Sequence, residues 1–94
     1  DLQPVSRDFA FLVASSTKAE DMLKIARSID KTLVSGVALF DLYEGKGIEP
    51  GFKSVAIEVK LQPKEKTLTD ADIEAFSAKL VAEMTKKTGA TLRG

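Results

Sequence analysis

Hydrophobic and polar residues along the chain follow patterns that predict three long strands. Residues 7–14 are almost continuously apolar after two charged positions and contain no Gly or Pro. This is typical of a strand that is buried on both faces and is therefore central in its sheet. Residues 53–61 alternate between apolar and polar or small side chains, which predicts a strand with one buried face. Residues 34–44 predict the remaining strand, in which Gly36 indicates a bulge or a close backbone approach.

Two segments have the period of an amphipathic helix. In the first segment, Thr17 and Glu20 match a capping box, and Lys31 is expected at the helix end, where a cation complements the helix dipole. The second helix is predicted to begin near Thr69, with Asp72 three residues later as a weaker capping box. The predicted buried stripes are Met22, Ile25, Ala26 and Ile29 in the first helix, and Ile73, Phe76, Leu80 and Met84 in the second.

The connections complete a βαββαβ order. Residues 45–51 contain three Gly and one Pro and predict a loop, residues 62–68 are a polar connection, Gly89 suits the end of the second helix, and residues 90–93 predict at best a short strand. The predicted fold is an α+β, ferredoxin-like split-βαβ sandwich. Its four-stranded antiparallel sheet has the strand order 4-1-3-2, with both helices on one face and the second strand at an edge.

The other face of the sheet is predicted to be open. Val55, Ile57 and Val59 are expected to face the helices, and Phe40 and Leu42 are expected to form the core pair of the second strand. Because side chains alternate along a strand, the neighbours of these residues face outward. The open face then carries one aromatic ring, one carboxylate, one hydroxyl and a floor of small side chains: Tyr43, Asp41, Ser54, Ala10 and Ala56. Such a surface suits a flat ring, and single-stranded RNA bases are bound in this way.

Composition narrows the choice of function. The chain has 94 residues and a formal net charge of zero, from 14 Lys+Arg and 14 Asp+Glu. It is expected to be a single domain, and a strongly basic polyanion binder is disfavoured. There is no Cys and no His, so a disulfide framework, a zinc–thiolate site and a histidine base are excluded. No apolar run is long enough to span a membrane. Because the chain starts at Asp1 without an initiator Met, we expect a fragment of a longer chain.

Several motifs together resemble one family. They are Ser6–Val13, Phe40–Gly45, Gly51–Ser54, Lys66–Asp70 and Gly89–Gly94. In this order and spacing, they are similar to the ferredoxin-fold anticodon-binding domain at the C-terminus of the bacterial phenylalanyl-tRNA synthetase beta chain. The resemblance covers nearly the whole chain, residues 1–94, and implies the same ferredoxin-like fold.

The resemblance also implies a function. In that family, the domain binds the anticodon loop of phenylalanine tRNA and stacks the first anticodon base on the tyrosine that corresponds to Tyr43. Asp41 corresponds to the aspartate that helps to recognise this base, and Ser54 to a serine beside it. The domain itself needs no cofactor, since aminoacylation with ATP and magnesium belongs to another chain of a heterotetrameric, cytoplasmic synthetase with alpha and beta chains. Neither DNA nor a membrane is an expected partner.

Six basic residues are candidate contacts to the tRNA backbone: Arg7, Lys53, Lys60, Lys64, Lys66 and Arg93. By alternation along its strand, Lys60 is expected on the open face, and the others lie at strand ends or in connections. For each of these residues, a solvated surface charge is the commoner role, because 30% of the chain is charged.

Other functions remain open on the sequence. On composition alone, Tyr43 is better explained as an ordinary strand aromatic and Asp41 as a solvated edge charge. A non-catalytic docking module could use the open face or the exposed edge of the second strand, and the neutral net charge favours it. Enzyme sites on this fold are disfavoured, because an acylphosphatase-like site needs an Asn that the chain lacks, and the helix N-terminus explains the carboxylates of Asp70 and Asp72.

Overall fold

The chain folds in the predicted βαββαβ order. Its computed structural model describes residues 2–93. The strands are β1 (Val5–Ala14), β2 (Val34–Tyr43), β3 (Phe52–Leu61) and β4 (Thr91–Leu92), and the helices are α1 (Ala19–Ser28) and α2 (Asp70–Thr88). The strands form one antiparallel sheet in the order β2-β3-β1-β4. This confirms the ferredoxin-like fold, the predicted strand order and the edge position of β2.

The core lies between the helices and one face of the sheet. On β3, Val55, Ile57 and Val59 are fully buried, which confirms the predicted faces of that strand. The helix stripes are also confirmed, with Ile25 only partly buried and the rest of both stripes in the core. Phe9 and Phe11 of β1 are buried on the same side and stack with ring centroids 6.4 Å apart. The alternate residues of β1 and β3 are therefore left on the open face.

Helix α1 begins later than predicted, and the capping box of Thr17 and Glu20 is wrong. The backbone N–H of Thr17 donates to the carbonyl of Ala14 at 2.9 Å and closes a turn after β1. This turn places Lys18 at the N-cap, where it makes no side-chain hydrogen bond to the helix. Glu20 instead lies in the first turn, where its charge complements the helix dipole.

The position predicted for Lys31 is also wrong. Helix α1 ends at Ser28, so that Arg27 is the cation of its last turn. The Asp30 carboxylate then accepts the backbone N–H groups of Thr32 at 3.1 Å and Leu33 at 3.0 Å. These bonds stabilise a turn that contains Lys31 and leads into β2.

Helix α2 has the predicted cap at each end. The Thr69 backbone N–H donates to Asp72 Oδ2 at 2.9 Å, and the Asp72 N–H donates to Thr69 Oγ1 at 3.1 Å. The backbone and side-chain hydrogen bonds of Thr69 lower the pKa of the Asp72 carboxyl; partial desolvation opposes this and the charge of Lys66 adds to it. At the other end, Gly89 adopts a left-handed φ of 76° and its N–H donates to the Thr85 carbonyl at 2.8 Å.

Strand β2 is irregular at two places. A register shift between Val34 and Gly36 confirms the bulge expected near Gly36, and a second shift lies between Leu39 and Asp41. The predicted core position of Phe40 is wrong, because this residue is the extra one at the second bulge and is 65% exposed. Leu39 opposes the buried Ile57 instead.

Leu42 does lie on the helix side, opposite Val55, but it is 45% exposed. Leu39 is exposed to the same extent. The helices therefore cover this end of β2 incompletely, which the sequence did not predict.

Candidate nucleic-acid interface

The five residues predicted for the open face lie together on it. Cross-strand pairing places them in two adjacent rows, each running from β2 through β3 to β1. The rows are Tyr43–Ser54–Leu12 and Asp41–Ala56–Ala10. Val55 and Ile57, their neighbours on β3, are fully buried against the helices, so that by alternation both rows lie on the opposite face.

The Tyr43 ring is held in place at the end of β2. Its hydroxyl donates to the carbonyl of Lys46 at 2.6 Å, and 43% of the residue is exposed. Gly45 has a φ of 126°, and a Cβ on this residue would lie 3.7 Å from the Tyr43 hydroxyl oxygen. The turn after β2 thus fixes the edge of the ring, while part of the ring remains open to a ligand.

Asp41 lies at the β2 end of the second row, next to the bulge. One of its carboxylate oxygens, Oδ1, accepts the backbone N–H of Leu42 at 3.0 Å. The residue is exposed, and an ionised carboxylate has about four acceptor positions. Asp41 can therefore accept hydrogen bonds from a ligand without giving up its own backbone contact.

Ser54 forms a hydrogen bond with Arg93, which follows β4 at the sheet edge opposite β2. Its hydroxyl oxygen accepts a hydrogen bond from Arg93 Nη1 at 2.9 Å, and the residue is 9% exposed. The Arg93 backbone N–H donates to the Ala10 carbonyl at 2.6 Å, which extends the pairing of β4 with β1. The Arg93 side chain therefore crosses β1 to reach β3, and it brings a guanidinium beside the small-residue floor.

Sequence reasoning missed three contributions to this face. Leu12 completes the first row, and Phe52, paired with Ala14, has the same parity and is 37% exposed. Strict alternation identifies Leu12 from Ala10 along β1 and Phe52 from Ser54 along β3. The contact of Arg93 with Ser54 has no such signal, because it depends on how a strand of two residues pairs with β1.

The other candidate basic residues are dispersed. Only Lys60 shares the open face, where it opposes Gly36 and Ser6. Arg7 and Lys53 oppose Val59 and Val13 and so lie on the helix side, and Lys53 is 8% exposed. Lys64 and Lys66 are exposed in the connection between β3 and α2. Of the six candidates, Arg93 alone contacts one of the predicted open-face residues, Ser54, which pairs with Tyr43.

Residues 2–93 contain no group of three or more Asp or Glu side chains that could hold a metal ion. Within the same range, neither helix combines the length and the apolar character that crossing a membrane requires.

Comparison with known proteins identifies similar chains. The family model described as the ferredoxin-fold anticodon binding domain matches residues 1–93. The chain is 63% identical over 91 residues to the phenylalanine–tRNA ligase beta subunit of Bradyrhizobium diazoefficiens, which covers 97% of this chain and 11% of that protein. The protein of the same name from Rhodopseudomonas palustris is 58% identical over 91 residues, with the same coverage.

A third relative is more distant. The phenylalanine–tRNA ligase beta subunit of Paramagnetospirillum magneticum is 55% identical over 93 residues, which are 99% of this chain and 12% of that protein. The chain thus spans about one ninth of the length of these curated relatives.

Proposed function

The chain belongs to the family of ferredoxin-fold anticodon-binding domains, and on this basis we propose that its open sheet face binds the anticodon loop of phenylalanine tRNA. In this proposal, the first anticodon base stacks on Tyr43, Asp41 and Ser54 bind the edge of the base, and Ala10 and Ala56 form the floor beneath it. The relatives named phenylalanine–tRNA ligase beta subunit support the choice of tRNA.

The proposal extends to the longer protein. The chain, as a single domain, would recognise tRNA for a phenylalanine–tRNA ligase in which its own beta chain pairs with an alpha chain. Aminoacylation, with ATP and magnesium, would take place elsewhere in that enzyme. The small share of each relative that this chain spans supports a division of labour of this kind.

The observation that carries the proposal is the state of the Tyr43 ring. The ring is partly exposed and is tied to the Lys46 carbonyl, so that stacking costs little additional loss of side-chain entropy. Ser54 uses one acceptor position for Arg93, while its hydroxyl hydrogen can donate to the edge of a base. A ring to stack on and a donor beside it are what recognition of an unpaired base requires.

Magnitudes set the expected affinity. One base stacked on an aromatic side chain contributes about 1–3 kcal/mol. That contribution alone corresponds to millimolar binding or weaker, at about 4 kcal/mol for a millimolar Kd. We therefore expect this chain alone to bind the stem-loop weakly, with the rest of the enzyme adding affinity.

An NMR titration of the ¹⁵N-labelled chain with the phenylalanine anticodon stem-loop tests the proposal. A stem-loop with a changed first anticodon base is the control RNA. We expect shifts at Asp41, Tyr43, Ser54 and Ala56 that are smaller with the control. Tyr43→Ala should weaken binding by about 5- to 150-fold, which corresponds to about 1–3 kcal/mol, whereas Tyr43→Phe keeps the ring and should lose less.

Two results would count against the proposal. Equal shifts with both RNAs would mean that the face does not read the base. Unchanged affinity in a folded Tyr43→Ala variant would remove the stacking role.

A docking module is the second candidate function, and the exposed residues of β2 favour it. Leu39, Phe40 and Leu42 are 45–65% exposed on an edge strand, and exposed strand edges are templates for pairing with another chain. If this surface docks on the rest of the parent protein, Phe40→Glu should weaken association with that separately expressed remainder and leave the RNA titration unchanged.

A further inference from the structure

A groove lined by cations lies between α1 and the edge strand β2. Lys24, Arg27 and Lys31 line it together with Ser35 and Gly36, and its volume is about 480 Å³. No carboxylate is among its lining residues. Since the whole chain has a formal net charge of zero, these three cations are a local excess of positive charge.

Neither ion pairs nor the helix dipole account for the three cations. The ion pair found among residues 2–93 joins Lys87 to Glu83, on α2. The helix dipole explains Arg27, which lies in the last turn of α1, but not Lys24 in the middle of the helix or Lys31 beyond its end. Asp30, next to Lys31 in sequence, uses one carboxylate oxygen for two backbone N–H groups. The cations are therefore available to an anionic partner.

Gly36 provides a second, independent indication of a binding site. Its φ is not left-handed, and a Cβ on this residue would meet no atom within 4 Å. Neither the backbone nor the packing requires glycine at this position, and glycine weakens a strand interior. Because Gly36 pairs with Lys60, a side chain here would point to the open face, and its absence leaves the sheet edge uncovered between the groove and that face.

Gly36 lies between the groove and the open face. Gly36 pairs with Lys60, which lies on the open face and lines a second recess with Gly36 and Glu58. Lys60 is six residues from Ser54 along β3, which corresponds to about 20 Å at the rise of an extended strand. The groove thus meets the β2 edge of the face that holds Tyr43, at a distance of several nucleotides, with Lys60 and Glu58 beside that edge.

We propose that Lys24, Arg27 and Lys31 bind phosphates of the backbone of the RNA whose loop lies on the open face. This inference rests on the proposed function. An RNA backbone fits because it carries one negative charge per nucleotide, so that it can engage several cations spaced along one groove. The strand β2 connects the two parts of the interface, with the stacking residue at one end and the phosphate groove at the other.

Salt dependence of binding tests the groove. The affinity of the chain for the anticodon stem-loop is measured at several salt concentrations for wild type, for Lys24→Gln/Arg27→Gln/Lys31→Gln, and for Lys79→Gln/Lys86→Gln/Lys87→Gln as a control with the same charge change on α2. Each phosphate neutralised contributes about 0.7–0.9 to the slope of log K against log salt. We expect the groove variant to lose about 2 from this slope, and the α2 control to keep the wild-type slope.

Gly36→Val provides a test without any change in charge. Valine favours strands, so the melting temperature should stay the same or rise. Its side chain should nevertheless obstruct the sheet edge between the groove and the open face and weaken RNA binding severalfold. Retention of wild-type affinity in the folded variant would overturn the role of Gly36 as the uncovered edge between the groove and the open face.

The two proposals fail in different ways. A wild-type salt slope in the groove variant, or equal losses of slope in the groove and α2 variants, would overturn the groove even if Tyr43→Ala weakens binding. Unchanged affinity in Tyr43→Ala would overturn the stacking role, and a reduced slope in the groove variant would still support phosphate binding there.

Discussion

At the scale of single residues, the candidate interface is a set of hydrogen-bonding groups that are only partly used within the protein. The Tyr43 hydroxyl donates to the Lys46 carbonyl, and one carboxylate oxygen of Asp41 accepts the backbone N–H of Leu42. Ser54 accepts from Arg93 and keeps a hydrogen to donate. Each residue is thus held in position while a ring face, a carboxylate oxygen or a hydroxyl hydrogen remains for a ligand.

Arg93 is expected to contribute to RNA binding through its position on the open face. Arg93→Ala removes a guanidinium that touches Ser54 and can stack on or bond a base. We expect about tenfold weaker binding of the anticodon stem-loop, or ~1.4 kcal/mol, and a change in folding stability within about 0.5 kcal/mol because the residue is exposed.

NMR titration and urea melts measure these two effects. Arg93→Lys is the matched variant, since it keeps the charge but loses the planar guanidinium. If Arg93→Lys binds as well as wild type, then charge alone explains the contribution of Arg93.

Side-chain alternation explains how far the site could be predicted. It correctly assigned Tyr43, Asp41 and Ser54 to one face, because the pairing of β2 with β3 is regular from residue 41 to residue 43. It failed at Phe40, because a bulge adds one residue and shifts the faces of the preceding part of β2. Bulges and long-range side-chain contacts depend on the paired strand, which a local pattern does not contain.

At the scale of elements, the two helices show when a capping pattern succeeds. Thr69 and Asp72 follow an exposed connection and form both reciprocal hydrogen bonds. Thr17 and Glu20 have a better matching pattern, but Thr17 is committed to the turn after β1. A capping box therefore requires a preceding segment that leaves the backbone N–H of its first residue free, and the four-residue motif does not contain that information.

The cap of α2 should make folding stability depend on pH. Thr69 lowers the pKa of the Asp72 carboxyl in the folded state, so the stabilisation is present above the unfolded pKa, about 3.9, and is lost as the pH falls through the lower folded value. Asp72→Asn should therefore be less stable than wild type at neutral pH, and the difference should shrink below about pH 4.

Thermal melts at neutral and acidic pH measure this difference. Asp70→Asn is the control, because it removes a charge from the same helical turn without removing a capping bond. Thr69→Ala should cost about 1 kcal/mol at neutral pH. Equal stability differences for Asp72→Asn at both pH values would contradict the role assigned to its charge.

Strand β3 offers a test of the assigned faces. Ile57 is fully buried, so Ile57→Ala should destabilise the chain by about 2–5 kcal/mol through lost burial and a cavity. Its neighbour Glu58 points to the open face opposite Asp8. Removal of one carboxylate from this like-charge pair should have little effect or should stabilise slightly. Urea melts in which Glu58→Ala costs as much as Ile57→Ala would mean that the faces are inverted.

At the scale of the whole molecule, the fold was predictable and the shape was not. Hydrophobic periods and turn residues are local, and the βαββαβ order with its right-handed crossovers leaves few topologies. The molecule is nevertheless elongated, at 46 × 22 × 21 Å, and among residues 2–93 five of the six exposed large hydrophobic residues lie in the β2–β3 hairpin. Tertiary packing determines how far the hairpin extends beyond the helices. The pattern of hydrophobic residues along the chain does not show this.

This shape predicts uneven stability along the sheet. The part of β2 from residue 38 to residue 43 is exposed throughout and lies at an edge, whereas β1 and β3 pair with each other along their whole length and bury one face against the helices. Exposed backbone with little apolar burial opens at low free energy. Hydrogen exchange should therefore be fast for the outward-facing amides of this segment and slowest in β1 and β3.

If a ligand binds across Tyr43 and Asp41, exchange there should slow when the anticodon stem-loop is added and should not change in Tyr43→Ala. Slow exchange in the free chain throughout β2 would contradict the weak edge, and an equal slowing in wild type and variant would move the RNA contact away from the end of β2.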